Sequence, residues 1–210
     1  MTDNYKVKLA VLAPIGTNCY VVINSETSEA IVVDPASEDE RLNKALEGVS
    51  KIAAVLITHG HYDHIGGVSF INEKYGPCDI VCSATEKEWM ETQTSISPEL
   101  TKEVAKLTNV LVEDNDEIEY AGIKFKVMQT PGHTAGSVCY LSEDQGILFS
   151  GDTLFKETCG RVDLPTGDAR SMKKSLARLK AEVADDVVVL PGHAETSVMG
   201  YEKENNIYMA

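Results

Sequence analysis

The chain has 210 residues, 43% of them hydrophobic, and a formal net charge of −14 at pH 7. That length can bury a good core within one domain, and the acidic balance without a basic stripe excludes a grip on a nucleic-acid phosphate backbone. No apolar run reaches bilayer-spanning length, residues 1–10 lack an apolar leader core, and the five cysteines are odd in number, so a cytoplasmic protein with no membrane partner is expected.

In chain order, residues 5–12, 19–23 and 30–33 read as short strands from their alternating or continuous apolar content. Ser37 opens a helix over 38–47 that Gly48 stops. Residues 52–57 form a buried strand, 65–75 a helix, 79–82 a strand and 85–91 a helix. The polar stretch 92–108 resists assignment, except that Pro98 starts a short helix. Strands follow at 110–112, 117–120, 123–128, 138–141 and 147–149. Asp168 caps a helix over 169–183, a strand runs through 187–190, and a last helix covers 195–205. The elements fall into two halves of similar style, about 1–109 and 110–210, within one domain. Two sheets face to face with helices outside would accommodate them, an order compatible with several α+β or α/β folds.

All five histidines stand in metal-ligand contexts. Three lie in Thr58-His59-Gly60-His61-Tyr62-Asp63-His64, and the others in Gly132-His133-Thr134 and Gly192-His193-Ala194, with Ser150-Gly151-Asp152-Thr153 between them. Each group follows an apolar run, so three strands end in imidazoles and converge on one rim, where loops carry function on a rigid scaffold. Chance yields His-x-His-x-Asp-His about once in several thousand such chains. A polar loop with capping histidines explains the cluster poorly, although it serves better for His133 or His193 taken alone. Imidazoles with carboxylates suit zinc, iron or manganese, whereas magnesium and calcium prefer oxygen throughout. Cys78 and Cys82 flank a short apolar run without a second cysteine pair and read as buried thiols, and Cys159 reads as a packing residue.

These motifs, together with Thr17-Asn18-Cys19-Tyr20, the run from Gly151 to Phe155 and on to Cys159-Gly160-Arg161, and Val189-Leu190-Pro191-Gly192-His193, resemble the metallo-β-lactamase-fold superfamily over nearly the whole chain. Within it they look most like glyoxalase II-type hydrolases, the hydroxyacylglutathione hydrolases. The resemblance implies a four-layer αββα sandwich. It also implies that His59, His61 and His133 hold one metal ion, that Asp63, His64 and His193 hold a second, and that Asp152 bridges the two. Asp63 and Asp152 are then the catalytic carboxylates. Two divalent ions, zinc first and iron or manganese next, would hold a hydroxide that attacks the carbonyl of a small thioester or ester.

In resembling proteins an aspartate at the position of Asp34 supports the ligand loops; Asp34 reads equally as a turn-initiating residue before Pro35. Thr58, Thr134 and Ser137 are supporting candidates of the same kind, or local caps and turns. Arg161 could fork onto a substrate carboxylate, or pair with Asp163 or Asp168. The chain departs from two-domain glyoxalase II enzymes in two ways. Only 17 residues follow His193, too few for a glutathione-clamping helical domain, and Arg161-Val162-Asp163-Leu164-Pro165 replaces their lysine and tyrosine pair. Asp152 stands where the true β-lactamases carry cysteine, which argues against antibiotic hydrolysis. The alternative enzyme is a persulfide dioxygenase with one iron on the His59, His61 and Asp152 side. Flavodiiron reductases carry glutamate where this chain has His61. A non-catalytic scaffold would have lost ligands, whereas all seven are kept.

Overall fold

The computed structural model describes residues 4–92 and 97–210. Six strands form the first sheet in sequential order: β1 (Tyr5–Leu12), β2 (Thr17–Asn24), β3 (Glu29–Val33), β4 (Lys51–Leu56), β5 (Asp79–Ser83) and β6 (Val110–Val112). β1 to β3 pair antiparallel and β3 to β6 pair parallel. The second sheet contains β7 (Glu117–Tyr120), β8 (Ile123–Gln129), β9 (Val138–Ser142) and β10 (Ile147–Gly151). A two-stranded ribbon follows, β11 (Leu154–Phe155) with β12 (Thr158–Cys159), and β13 (Val188–Pro191) and β14 (Ser197–Val198) complete the second sheet. There β13 lies parallel to β10, and the remaining pairs are antiparallel.

The period-2 alternation of a strand explains how the layers stack. Along β3 to β5, Ile31, Val33, Leu56 and Val81 face the second sheet and meet Phe125, Val127, Tyr140 and Phe149. Val32, Val55, Ile80 and Cys82 point the other way, into a second apolar layer. Helices α1 (Glu40–Ala45), α3 (Val68–Lys74), α4 (Ala84–Thr92) and α5 (Pro98–Leu107) cover that outer face, placing Leu42, Ile71, Met90 and Val104 on it. On the far side, α6 (Ala169–Glu182) and α7 (Met199–Asn205) pack Met172, Leu176, Leu179 and Met199 against Met128, Leu148 and Val189. The result is the four-layer αββα sandwich. Strands buried on both faces read as unbroken apolar runs, and each fully buried Leu, Ile or Phe contributes roughly 1.5–3 kcal/mol. No helix among the described residues is long and apolar enough to cross a membrane.

The structure corrects several expected elements. The helix expected over 65–75 is two pieces, α2 (Tyr62–Ile65) and α3, separated by Gly66 and Gly67. A Cβ on Gly66 would lie 2.3 Å from the Ala36 carbonyl oxygen, and the Gly67 N–H donates to the Pro35 carbonyl at 2.7 Å. The backbone following β3 passes too close for a continuous side-chain-bearing helix. Helix α1 starts at Glu40 because Asp39, not Ser37, accepts the capping hydrogen bond from Arg41 N–H. The final helix starts only at Met199, because Val198 and Ser197 pair with Val188 and Val189 on the edge of β13. Pro98 opens α5 as expected, while residues 93–96 of the unassigned stretch lie outside the described residues. Neither the β11–β12 ribbon nor β14 was expected, since two-residue strands carry no periodic signal.

Gly66→Ala is expected to destabilise the fold by about 1–3 kcal/mol, the usual cost of forcing a methyl into filled space. A urea titration reads this as a lower midpoint at unchanged slope; an unshifted midpoint would show that the Ala36 turn can yield.

Candidate metal centre

The histidine-bearing segments leave the same ends of their strands. β4 delivers Thr58 and His59, and His61 is the N-cap of α2, so Asp63 and His64 are the middle two of that helix's four residues. β8 leads to His133, β10 to Asp152 and β13 to His193. The parallel pairing of β10 with β13 sets the last two beside each other. Gly192 makes this approach possible, since a Cβ there would sit 2.4 Å from Asp152 Oδ1 and 2.7 Å from His64 Cε1.

Two groups of ligand-capable side chains result: His59, His61 and His133 in one, and Asp63, His64 and His193 in the other. Asp152 lies between them, with Oδ2 3.4 Å from His133 Nε2 and Oδ1 3.4 Å from His64 Nε2. His193 Nε2 is 3.3 Å from Asp63 Oδ2 and 3.6 Å from Asp152 Oδ2. All seven residues singled out from the sequence therefore meet in one place.

The hydrogen-bond network decides which nitrogens are bare, as an inference from donors and acceptors. Asp34 accepts three bonds: Thr58 N–H at 2.8 Å, the Thr58 hydroxyl at 2.6 Å and His64 Nδ1–H at 2.9 Å. Because the Thr58 hydroxyl donates to Asp34, the 3.1 Å contact with His59 Nδ1 makes the histidine the donor there. His133 Nδ1–H donates to the Arg161 carbonyl at 2.8 Å. Each of these rings turns its Nε2 toward the cluster. Of the two readings of Asp34, the structure favours support of the ligand loops; its oxygens are already engaged, so its proximity to His59 and His64 does not make it a third cluster's ligand.

A metal ion fits this arrangement on a specific observation. His59 Nε2 and Asp152 Oδ1 are buried without a hydrogen-bond partner, and an orphaned buried acceptor costs about 1–3 kcal/mol. Burial, reinforced by the neighbouring His64, holds His59 far below its usual range, and burial with His133 pushes His61 down to about 3. Burial also lowers His133. His64 goes the other way: burial opposes its charge, but Asp152, Asp34 and Asp63 outweigh it and lift it to about 9. Neutral His59, His61 and His133 beside carboxylates are what a divalent cation requires, and a bound cation would take the place of the proton that those carboxylates hold on His64.

Four supporting residues escaped the sequence reading. Glu86 on α4 is fully buried and accepts from Gly60 N–H at 2.8 Å, the Thr134 hydroxyl at 2.8 Å and Gly136 N–H at 3.1 Å. It therefore ties the His59–His61 loop to the His133 loop, although burial raises its pKa against those donors. Thr134 and Ser137 make a local turn, with hydroxyls 2.7 Å apart, and Thr134 also reaches Glu86. Thr17 donates to Asp63 Oδ2 at 3.2 Å. Asn18 donates to the Pro191 and Ala194 carbonyls, and Tyr20 to that of Pro191, clasping the His193 turn from the opposite sheet. A lone Glu in a helix carries no motif, but Thr17, Asn18 and Tyr20 belong to a run the resemblance had already marked.

Beside the centre lies a cavity of about 250 Å³, walled by Ile15, Tyr62, Trp89, Leu164, Pro165 and Arg161. Arg161 is exposed and forks onto Asp163 through Nε at 2.7 Å and Nη2 at 2.8 Å. Asp168 is instead the N-cap of α6, where it accepts from Ser171 N–H.

The metallo-beta-lactamase superfamily profile matches residues 12–193. The chain belongs to the metallo-beta-lactamase superfamily. This superfamily member is 27% identical to the hydroxyacylglutathione hydrolase GloC of Haemophilus influenzae, over 91% of this chain and 92% of the relative. The crystal structure of the BLEG-1 B3 metallo-beta-lactamase matches with a TM-score of 0.86 at 30% identity, over 97% of this chain and 99% of that one. ETHE1 from Myxococcus xanthus matches with a TM-score of 0.77 at 27% identity, over 96% and 83%.

Glu86→Ala is expected to strand the Gly60 and Gly136 N–H groups at about 1–3 kcal/mol each, lowering both the melting temperature and metal retention. Glu86→Gln, which keeps the shape but turns an amino group toward a donor, should fall between the two. Metal retention equal to wild type in Glu86→Ala would show that the two loops hold their geometry without it.

Proposed function

We propose that this protein is a dinuclear metal-dependent hydrolase acting on small thioesters or related esters. The observation that supports this best is the pair of buried, unpartnered atoms, His59 Nε2 and Asp152 Oδ1, facing a space bounded by two ligand clusters. On this reading His59, His61 and His133 would hold one ion and Asp63, His64 and His193 the other, with Asp152 available to both. Two divalent ions bound there, zinc first and iron or manganese next, would supply a hydroxide nucleophile at neutral pH and polarise the substrate carbonyl.

The chain's own residues do the rest. Ile15, Tyr62, Trp89 and Leu164 give the cavity apolar walls that hold an acyl group and exclude bulk water. Asp34 and Thr58 fix the His64 and His59 rings, and Thr17 steadies Asp63. A departing thiolate has an ordinary pKa near 8.5 and needs little help from a general acid. Cys159 is not the nucleophile in this scheme, because burial raises its thiol pKa and disfavours the thiolate. Arg161 keeps N–H donors beyond those on Asp163 and offers them to an anionic substrate group. The likeness to GloC supports a thioester, and five free cysteines suit a cytoplasmic setting.

The likeness to ETHE1 supports a second reading, a mononuclear iron persulfide dioxygenase. Metal analysis of protein purified without added metal or chelator separates the two. About two ions per chain with thioester turnover is expected for the hydrolase; one iron with persulfide-dependent oxygen uptake would replace it with the dioxygenase. A β-lactam belongs in the substrate panel, and its hydrolysis ahead of every thioester would overturn the thioester assignment.

Asp152→Ala should lose metal and turnover together while the circular dichroism spectrum stays folded; retained turnover would remove Asp152 from the bridging position. Arg161→Ala should raise KM for anionic thioesters about tenfold, roughly 1.4 kcal/mol, and change neutral ones less. Equal effects on both would leave Arg161 a structural residue.

A further inference from the structure

The β11–β12 ribbon meets the centre at both its ends, yet it has little of its own to hold it. Asp152 lies two residues before it, and the Arg161 carbonyl that accepts from His133 Nδ1–H at 2.8 Å lies two residues after it. Gly160 packs directly on Asp152: a Cβ there would collide with the Asp152 carbonyl oxygen and lie 3.2 Å from His133 Nδ1. Only two residue pairs, Leu154 with Cys159 and Phe155 with Thr158, join the ribbon's strands, and so short a hairpin is marginal by itself. At its tip Glu157 has φ of 60°, a left-handed backbone that disfavours a side chain. Leu154 is anchored by the Ser150 hydroxyl, which donates to its carbonyl at 2.8 Å. The tip beyond it needs another hold.

That hold comes from α7. Glu202 is fully buried, and its Oε2 accepts from Glu157 N–H at 2.8 Å and from Asn206 Nδ2 at 2.9 Å. Its Oε1 takes the Ser197 hydroxyl. Asn206, the buried C-cap of the helix, donates through Nδ2 to the Thr158 carbonyl at 3.0 Å and to that of Phe155 at 3.3 Å. Together the two side chains hold one N–H and two carbonyls of the tip. Tyr201 adds a surface tie to the Glu157 carboxylate. A buried carboxylate and amide cost more to desolvate than apolar side chains would. What they offer in return is directional bonds that fix a backbone in place. The ribbon's other contact with the centre is the Phe155 ring, edge-on to His193 with centroids 6.1 Å apart, which commits no nitrogen.

We infer that Glu202 and Asn206 are positioning residues for the metal centre. Helix α7 holds the ribbon, the ribbon holds the Arg161 carbonyl, and that carbonyl commits His133 Nδ1 as a donor so that Nε2 faces the cluster. The inference rests on the metal-centre reading and adds to it a dependence on a helix that contributes no ligand. His59 and His64 lie outside this relay, because Thr58 and Asp34 hold their Nδ1 atoms. Loosening the ribbon therefore frees His133 and leaves those two rings in place, which a general loss of stability would not do.

The test reads ring N–H exchange by NMR in protein carrying isotope-labelled histidine, as purified, together with metal retained per chain against a graded chelator. The His133 Nδ1–H signal is assigned by its proximity to Gly160 Hα, and its exchange rate is divided by that of His64 Nδ1–H. Global unfolding exposes both groups, so a stability loss alone leaves the ratio unchanged. Asn206→Ala and Glu202→Ala should raise the ratio and weaken metal retention, each about tenfold, the low end for a ligand whose orienting partner is lost. Glu202→Gln should return both to within about twofold of wild type, since its carbonyl oxygen can accept from Glu157 and its amide can donate to the Ser197 hydroxyl. Met199→Ala removes a buried side chain of the same helix that makes no hydrogen bond to the ribbon. It should lower the melting temperature and leave the ratio unchanged. An unchanged ratio in both alanine variants at Glu202 and Asn206, an equal rise in Met199→Ala, or a raised ratio with wild-type metal retention overturns the inference. Where those two alanine variants do not fold, Asn206→Ser takes their place, its hydroxyl being too short to span both ribbon carbonyls. If wild type retains no metal, the metal reading fails on its own, and the exchange ratio still decides whether α7 positions His133.

Discussion

The Asp34 carboxylate is the interaction on which the centre depends. It sits at the end of a buried strand with φ of 49°, a left-handed backbone that aspartate tolerates better than most side chains. Three hydrogen bonds hold it there, and through them it sets two imidazoles at once: His64 directly, and His59 by claiming the Thr58 hydroxyl proton. A ring nitrogen can present a lone pair reliably only if the opposite nitrogen is committed as a donor. Asp34 supplies that commitment for two of the five rings, and the Arg161 carbonyl supplies it for a third.

The same rim also joins the two sheets. Tyr140 from the second sheet donates to the Ile57 carbonyl, Ser83 from the first donates to that of Gly136, and Val138 N–H pairs with the Thr58 carbonyl. Asn18 and Tyr20 close the other flank on the His193 turn. Between the sheets the contacts are apolar and non-directional, which supplies cohesion but leaves ångström-scale placement loose. The polar bonds at the rim supply that placement, and they are buried, so leaving any of them unmade is costly. Fold cohesion and site geometry are thus divided between the middle of the sandwich and its edge.

Electrostatics are arranged on the same two scales. Acidic residues outnumber basic ones, 33 to 19, and the interior carboxylates Asp34, Asp63, Glu86 and Asp152 each face donors or the histidine cluster. Among the described residues, Arg161 is the cation that lines the cavity beside the centre. Its fork onto Asp163 restrains the guanidinium at that wall without using all its donors.

Much of this was legible in the sequence because the signals are local. The central strands announce themselves as short apolar runs, Asp168 caps α6 as its side chain dictates, and the spacing of His59, His61, Asp63 and His64 reflects one turn followed by one short helix. Other features depend on chain segments far apart in sequence. The break at Gly66 and Gly67 comes from the backbone near Ala36, and the strand at Ser197 exists because β13 offers it an edge. Glu86 matters only because Gly60 and Gly136 arrive beside it. The sequence by itself determined which side chains could bind a metal and which strands deliver them, since ligand chemistry and strand periodicity are properties of neighbouring residues. Tertiary structure alone decided which ring nitrogen of His59, His64 and His133 is committed as a donor and which segments wall the cavity beside the centre, since both depend on hydrogen bonds and surfaces between distant segments.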